Sequence, residues 1–158
     1  MHFFKALGLI LLLACGVTLG LLLVCFHKRR CRQAEGFLAL LRYIRLQIDC
    51  FSLPVERILA TLGDELRADC RIPEDARDFP ALLAGTHLLL PLEMQELLAS
   101  FCQDLGTSYR EDQLRCCDYY LSRLSPYCTR IREELPKRIK LSLLLPTALV
   151  AALLLMLI

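Results

Sequence analysis

Each end of the chain carries a long run of residues without a charged side chain. The first run covers Ala6 to Phe26 and has 21 residues, and the second covers Leu141 to Ile158 and has 18. At a helical rise of about 1.5 Å per residue, the first run extends roughly 30 Å, which matches the hydrocarbon core of a bilayer, and the second run is near the short limit for a crossing. We therefore expect an N-terminal transmembrane anchor over residues 1–26, a helical domain over 27–140 and a C-terminal transmembrane anchor over 141–158.

Other readings of the two apolar runs are possible. The first run can also be a signal peptide that is later removed, or a lipoprotein signal acylated at Cys15 or Cys25. A signal peptide, however, has an apolar region of about 7 to 15 residues and a small-residue cleavage site. This run is longer and ends at Val24-Cys25-Phe26 before a basic cluster, which favours a retained anchor. For the second run the alternative is a buried core helix, although the 114 residues between the runs offer a small core.

Two basic segments flank the apolar runs on the side of the middle domain. These basic collars are residues 27–32, His-Lys-Arg-Arg-Cys-Arg, and residues 137–140, Lys-Arg-Ile-Lys, whereas Lys5 alone lies on the far side. Because an excess of Lys and Arg stays in the cytoplasm, we expect residues 27–140 to be cytoplasmic and both termini to lie outside.

Charge is unevenly distributed along the chain. Residues 33–136 hold 11 Lys or Arg against 17 Asp or Glu, a net charge of −6. The basic collars suit anionic lipid headgroups, whereas an acidic body repels nucleic acid phosphates. We therefore expect membrane lipid and no nucleic acid as partners. The acidic surface leaves open a basic protein partner or a surface that is simply solvated.

Nine cysteines would indicate disulfides in a secreted protein, but the expected topology places most of them in a reducing cytoplasm. We expect free thiols that serve mainly as small apolar packing residues. Cys25 and Cys31, at the membrane edge, are candidates for palmitoylation. The cysteines are Cys15, Cys25, Cys31, Cys50, Cys70, Cys102, Cys116, Cys117 and Cys128.

No pattern of a catalytic or metal site occurs. The chain has no glycine-rich phosphate loop, no His-Glu-x-x-His and no Gly-x-Ser-x-Gly. The three histidines are far apart, and the adjacent Cys116 and Cys117 have the wrong spacing for paired zinc ligands. Acidic pairs such as Glu93 with Glu96 are interpreted as solvated helix surface rather than acid-base machinery. We expect a protein that is not an enzyme and holds no cofactor or metal.

The first half of the middle domain shows helical periodicity and no alternating strand pattern. The first helix is expected over Glu35 to Phe51 and should continue from the first apolar run, since no proline separates them. Ser52 then offers an N-cap with Pro54 in the first turn of a second helix, and the two helices should form a hairpin. Their apolar stripes are Phe37, Leu41, Ile44, Ile48 and Phe51, and Val55, Ile58, Leu59, Leu62 and Leu66.

The segment from Cys70 to Pro91 is irregular and rich in proline, and we expect a loop with a short helix near Ala81 to Leu89. After Pro91 a clearer helix is predicted, with Gly106 at the position where a left-handed residue ends a helix. Its apolar stripe is Met94, Leu97, Leu98, Phe101 and Leu105.

The last helix is the longest and the most regular. Ser108 to Glu111 forms a Ser-x-x-Glu capping box at its start. We interpret its seam as intramolecular core in preference to a dimer interface, because a small domain needs such stripes for its own core. Pro126 predicts a kink near Ser122 to Pro126, and Pro136 predicts a second break before the membrane. The seam is Leu114, Cys117, Leu121, Leu124, Cys128, Ile131 and Leu135.

Several segments carry a resemblance to a known family over nearly the whole chain: Phe37 to Ile48, the Leu53-Pro54 turn, Leu97 to Gly106, Gln113 and the basic entry to the second apolar run. In order and spacing they resemble the stage III sporulation protein AB family of endospore-forming bacteria. The resemblance implies an all-α cytoplasmic bundle similar to the platform (F-type) proteins of type II secretion systems.

The same resemblance implies a place in the mother cell membrane, within the channel assembly that links mother cell and forespore. The implied partners are membrane subunits of the channel and a cytoplasmic secretion-type ATPase, which the domain would dock without hydrolysing ATP itself. A homo-oligomer is also compatible with it. The alternative from another functional class is a stand-alone membrane-anchored regulator or thiol sensor that uses the cysteines.

Overall fold

The structure is a computed structural model that describes residues 2–51, 55–73, 83, 86–105 and 109–157, without the side chains of 2–7, 9–10, 12–13, 55–56 and 153–157. Over this part of the chain it is all-helical and contains no strand, which confirms the predicted all-α class. The helices are α1 (His2–Phe51), α2 (Val55–Ala60), α3 (Asp64–Cys70), α4 (Leu92–Asp104) and α5 (Arg110–Leu157).

The chain divides into two compact units. The first unit combines residues 1–29 with 132–158, and the second unit is residues 30–131. Among the residues that the structure describes, no helix combines the length and the apolar character that a membrane crossing requires. The two flanking transmembrane helices expected from the sequence are therefore not supported by the structure.

Helix α1 supplies the central stripe of the second unit. It runs for 50 residues without a break, so the prediction that the first amphipathic helix continues from the apolar run is confirmed. Phe37, Leu41, Ile44 and Ile48 are buried as the spacing predicts. The prediction is wrong at Phe51, which is 66% exposed.

The second apolar stripe forms two short helices, α2 and α3, where the sequence predicts one. The backbone at Gly63, between them, is extended, with φ −64° and ψ 147°. The guanidinium of Arg67 donates to the carbonyl oxygens of Leu59 at 2.7 Å and Leu62 at 3.3 Å. The side chain of Arg67 thereby bonds carbonyl groups at the end of α2. In a continuing helix, backbone N–H groups of the next turn would bond them instead. Leu59, Leu62 and Ile58 are nevertheless buried, so the stripe still reaches the core.

Several predicted features fall partly or wholly outside the described residues. These are the Ser52 to Pro54 cap, Gly106, the Ser108 end of the capping box, and most of the predicted short helix from Ala81 to Leu89. Leu83 is helical, but residues 86–89 are not, so the predicted helix is wrong at its end. A buried side chain bonds the backbone of residues 87 and 89 instead, which removes those groups from a helical ladder.

Helix α4 packs against the core as its stripe predicts. Met94, Leu98, Phe101 and Leu105 are buried, and Leu97 is half-buried. The backbone N–H of Leu105 donates to the carbonyl of Phe101 at 3.0 Å and closes the last turn. The expected acidic side chains lie on the outer face of this helix.

Helix α5 runs for 48 residues from Arg110 to Leu157, and the predicted break at Pro136 is wrong. A proline removes one helical bond and frees the carbonyl four residues earlier. For Pro126 and Pro136 those carbonyls belong to the exposed Ser122 and Arg132, and for Pro146 to the buried Ser142. The helix continues past all three prolines. The predicted seam of α5 contributes to the core, since Cys117, Leu124 and Cys128 are buried. Tyr120 lies outside the predicted seam and is also buried.

Candidate functional site

A buried amide joins α1 to the loop that precedes α4. The Gln33 side chain is 1% exposed. Its nitrogen donates to the carbonyls of Cys70 at 3.3 Å and His87 at 3.1 Å, and its oxygen accepts from the backbone N–H of Leu89 at 2.8 Å. Sequence reasoning missed this contact, although Gln33 lies four residues before Phe37 and so extends the same helical stripe. The network positions the loop that leads into α4.

Two arginines tie the C-terminal end of α1 to α5. Arg45 contacts Asp118 through two bonds, at 2.5 Å and 3.3 Å. Arg110 donates to the backbone carbonyl of Ile48 at 3.2 Å and to the carboxylate of Asp49 at 3.1 Å. The bond from Arg45 holds the pKa of Asp118 below its ordinary value. Since a cation at a helix C-terminus satisfies orphan carbonyls and the helix dipole, Arg110 caps α1.

A groove of about 720 Å³ lies between α4 and α5 in the second unit. Its lining mixes aromatic, apolar, acidic and basic side chains, as a surface for a polypeptide does. We call it the α4–α5 groove. Its lining residues are Glu93, Glu96, Leu97 and Ser100 on α4, and Tyr119, Ser122, Arg123, Pro126 and Tyr127 on α5.

The aromatic wall of the groove is held by the core beneath it. Tyr119 is 52% exposed, and its ring meets the ring of Tyr120 edge-on, with 5.2 Å between centroids. Tyr120 in turn packs edge-on against Phe101 at 5.4 Å and donates its hydroxyl to Asp104 at 2.6 Å. The guanidinium of Arg123 lies 5.6 Å from the centre of the Tyr119 ring. An exposed aromatic ring is thus kept in one orientation.

The α4 side of the groove is acidic. Glu93 and Glu96 are exposed, and the helix contains three acidic residues and no basic one. Glu93 accepts a hydrogen bond from Tyr127, and this bond raises the pKa of the Tyr127 hydroxyl. The interpretation of these acids as solvated surface agrees with their exposure, and the groove between the helices could not be seen from their spacing alone.

In the first unit, α1 and α5 approach closely at two glycines. A Cβ atom on Gly16 would come within 2.8 Å of Val150 Cγ2, and one on Gly20 within 3.2 Å of the Ser142 carbonyl oxygen. The Gly-x-x-x-Gly spacing is typical of close helix packing in lipid. Large apolar side chains of this unit are exposed: Leu11, Val17, Leu19, Leu21, Leu22, Leu23, Phe26, Leu141, Leu143, Leu144, Leu145 and Leu149.

The thiols are mostly packing groups in the second unit. All nine cysteines are free, and those at 31, 70, 117 and 128 are buried. Burial raises the pKa of Cys70, Cys102 and Cys117 to about 12 and that of Cys128 to about 11. Of the two candidates for palmitoylation, Cys25 is exposed and Cys31 is buried, so the Cys31 thiol is not accessible to an acylating enzyme in this fold.

No cluster of three or more His, Cys, Asp or Glu side chains that could hold a metal ion occurs in the described part of the chain. Comparison of the chain with known protein families, with curated proteins and with solved structures finds no match. The groove, the exposed apolar surface and the buried polar contacts are therefore the features from which a function can be argued.

Proposed function

We propose that the chain is a non-enzymatic membrane scaffold of the sporulation channel between mother cell and forespore, and that it docks a secretion-type ATPase. One observation carries this proposal beyond the sequence resemblance. The segments that carry the resemblance, Phe37 to Ile48 and Leu97 to Gly106, include most of the buried residues of α1 and α4 in the second unit. The residues that carry the resemblance are therefore largely core residues, which determine the fold. The fold that the resemblance implies is a helical docking platform.

Membrane attachment through the two ends of the chain is part of the proposal. Exposed side chains in the first unit include Leu22 at 67% and Leu144 at 64%, and a contiguous apolar surface of this kind marks a membrane or protein contact. Parts of both apolar runs, residues 6–7, 9–10, 12–13 and 153–158, lie outside the described side chains. The basic collars next to the runs favour anionic headgroups and a cytoplasmic second unit.

The chemistry of the thiols favours a scaffold over the alternative, a stand-alone thiol-sensing regulator. A sensor cysteine reacts as a thiolate in an accessible, electropositive site. With a pKa of about 12, the Cys70 thiol is ionised in roughly one molecule in 10⁵ at neutral pH. The exposed Cys15, Cys25 and Cys50 are the positions at which a sensor would have to act.

The test uses the full chain with an epitope tag, expressed in sporulating cells of an endospore former and solubilised from the membrane fraction. We expect the secretion-type ATPase of those cells to co-purify with it, and a membrane protein of similar size with the same tag serves as control. A clean absence of the ATPase from the purified material contradicts the docking function. Recovery of the chain in the soluble fraction contradicts the membrane attachment.

Replacement of all nine cysteines by Ala or Ser separates the two functions. A scaffold that still folds keeps its ATPase and its sporulation phenotype, because its function does not depend on thiol chemistry. A thiol sensor loses its phenotype even where the circular dichroism spectrum and the melting temperature are unchanged.

A further inference from the structure

The α4–α5 groove has the shape and the chemistry of a site for a helix. The lining of the groove on α4 runs from Glu93 to Ser100, which is about 12 Å and matches roughly two turns of a partner helix laid beside it. Leu97 and Pro126 line the groove between polar borders, and an amphipathic helix presents an apolar stripe between polar flanks in the same way.

The charge of the groove determines which sign of charge a bound partner should carry. Glu93 and Glu96 stand on the α4 side with no basic residue on that helix. On the opposite side, Arg123 is placed over the ring of Tyr119 at 5.6 Å. The charged side chains of the lining are two carboxylates and one guanidinium, so its net charge is negative and complements lysine or arginine side chains. A net negative lining disfavours an anionic lipid headgroup as the occupant.

The position of Tyr119 gives the groove an anchor. Tyrosine and arginine are enriched at the residues that dominate binding energy, and a ring that is already oriented loses little conformational freedom on binding. Tyr119 is oriented from below by Tyr120, whose hydroxyl is bonded to Asp104 at 2.6 Å. The backbone carbonyl of Tyr119 also accepts a bond from the Ser122 hydroxyl at 2.7 Å.

We propose that the α4–α5 groove docks a basic amphipathic helix of a protein partner. Basic side chains of that helix pair with Glu93 and Glu96, its apolar stripe covers Leu97, and its edge packs on the ring of Tyr119. This inference rests on the proposed scaffold function and names the surface through which the scaffold holds its partner.

The experiment measures binding of a defined probe to the full chain in nanodiscs of neutral phosphatidylcholine. The probe is a fluorescent 18-residue helical peptide with leucine on one face and arginine on the flanks, and its anisotropy reports binding. We expect Kd to rise about tenfold in the Glu93→Gln/Glu96→Gln double variant and about tenfold in Tyr119→Ala, as for a binding hot spot. Raising the salt concentration should weaken binding to the wild type more than to the double variant.

The matched control removes the same charge elsewhere on α5, at one position in the second unit and one in the first unit. Glu111 and Glu133 are exposed acids outside the groove, and the Glu111→Gln/Glu133→Gln variant should change Kd by less than twofold. Melting followed by circular dichroism checks that each variant is folded. If Tyr119→Ala unfolds the chain, the Glu93→Gln/Glu96→Gln variant alone decides, because both side chains are exposed and a glutamine carbonyl at position 93 can still accept the hydrogen bond from Tyr127.

Three results overturn the inference. The first would be a control variant that loses as much affinity as the groove variant. The second would be equal binding of a peptide with glutamate in place of arginine. The third would be groove variants that change only the self-association of the chain in light scattering, which would make a second copy the occupant. These outcomes are distinct from failure of the scaffold function: co-purification of the ATPase with the groove variants removes the groove as the site but leaves the function intact.

Discussion

Replacement of Gln33 by Ala is expected to destabilise the second unit by roughly 3–5 kcal/mol. The change leaves three backbone groups, the carbonyls of Cys70 and His87 and the N–H of Leu89, without the partner they have at 3.3, 3.1 and 2.8 Å. An unsatisfied buried group costs about 1–3 kcal/mol. Because His87 is exposed and Leu89 is half-buried, water can reach part of this site, so we count about 2–4 kcal/mol for the bonds and about 1 kcal/mol for the cavity.

The assay is hydrogen exchange of the full chain followed by mass spectrometry. The segment over residues 86–91 includes the Leu89 amide, which donates to Gln33 Oε1. A loss of about 3 kcal/mol in the free energy of local opening speeds exchange roughly 150-fold. Gln33→Leu fills the volume but removes the bonds, so it should retain most of the effect and thereby separate the hydrogen bonds from the cavity.

The matched control is Gln103→Ala on α4, an exposed glutamine, which should change stability by no more than about 0.5 kcal/mol. Equal exchange of the 86–91 segment in Gln33→Ala and Gln103→Ala would show that the amide does not hold the loop. Slower exchange in Gln33→Leu than in the wild type would show that the buried polar contact is less favourable than packing alone.

Three further predictions concern the helix ends, the first unit and the thiols. Arg110→Ala should destabilise the last turn of α1 by about 1–2 kcal/mol, seen as faster exchange of residues 46–51, whereas Arg115→Ala, at an exposed surface pair, should leave it unchanged. Gly20→Leu should lower the melting temperature of the first unit in detergent, because a Cβ atom already meets the Ser142 carbonyl oxygen at 3.2 Å, whereas Gly8→Leu, with open space around it, should not. Cys70 has a pKa of about 12 in the fold against 9.0 in an exposed chain, so its thiol stabilises the fold fully below pH 9 and loses that contribution as the pH rises toward 12. Cys70→Ala should therefore reduce the fall in the free energy of unfolding over that interval by about 1.4 kcal/mol per pH unit, and an unchanged slope would contradict a buried neutral thiol.

The sequence indicates those parts of the fold that follow from local periodicity. The continuity of α1 and the burial of Phe37 and Ile44 follow from a repeat of 3.6 residues and the absence of proline. The break between α2 and α3 could not be predicted, because the carbonyls that end α2 are satisfied by Arg67, a side chain from the next helix. The break predicted at Pro136 is wrong because the helix continues past a proline that removes a helical bond, and the sequence pattern alone does not show whether the neighbouring bonds hold the helix together.

The candidate site is harder to predict from the sequence than the fold is. Glu93 and Tyr119 are both on polar faces of their own helices, and a pattern within one helix can say only that they are exposed. Their proximity arises from the packing of α4 on α5 through Phe101 and Tyr120, which is a tertiary contact. A binding surface made of two helices is therefore found only once the helices are placed, whereas the core stripe of each helix is visible beforehand.

Lysine and arginine are distributed differently along the chain. All four lysines lie near the ends, at positions 5, 28, 137 and 140, whereas arginine occurs in the collars and is the only one of the two in residues 33–136. Arg45, Arg67 and Arg110 each make at least two hydrogen bonds to groups fixed on another helix or on the preceding turn. A guanidinium fork can satisfy such paired acceptors, and a lysine ammonium, a hydrated point charge on a flexible stem, cannot hold them in the same geometry. These three arginines act as internal ties of the second unit. In the collars lysine and arginine occur together, and this difference between the two regions agrees with the membrane contact proposed for the ends and the protein contact proposed for the bundle.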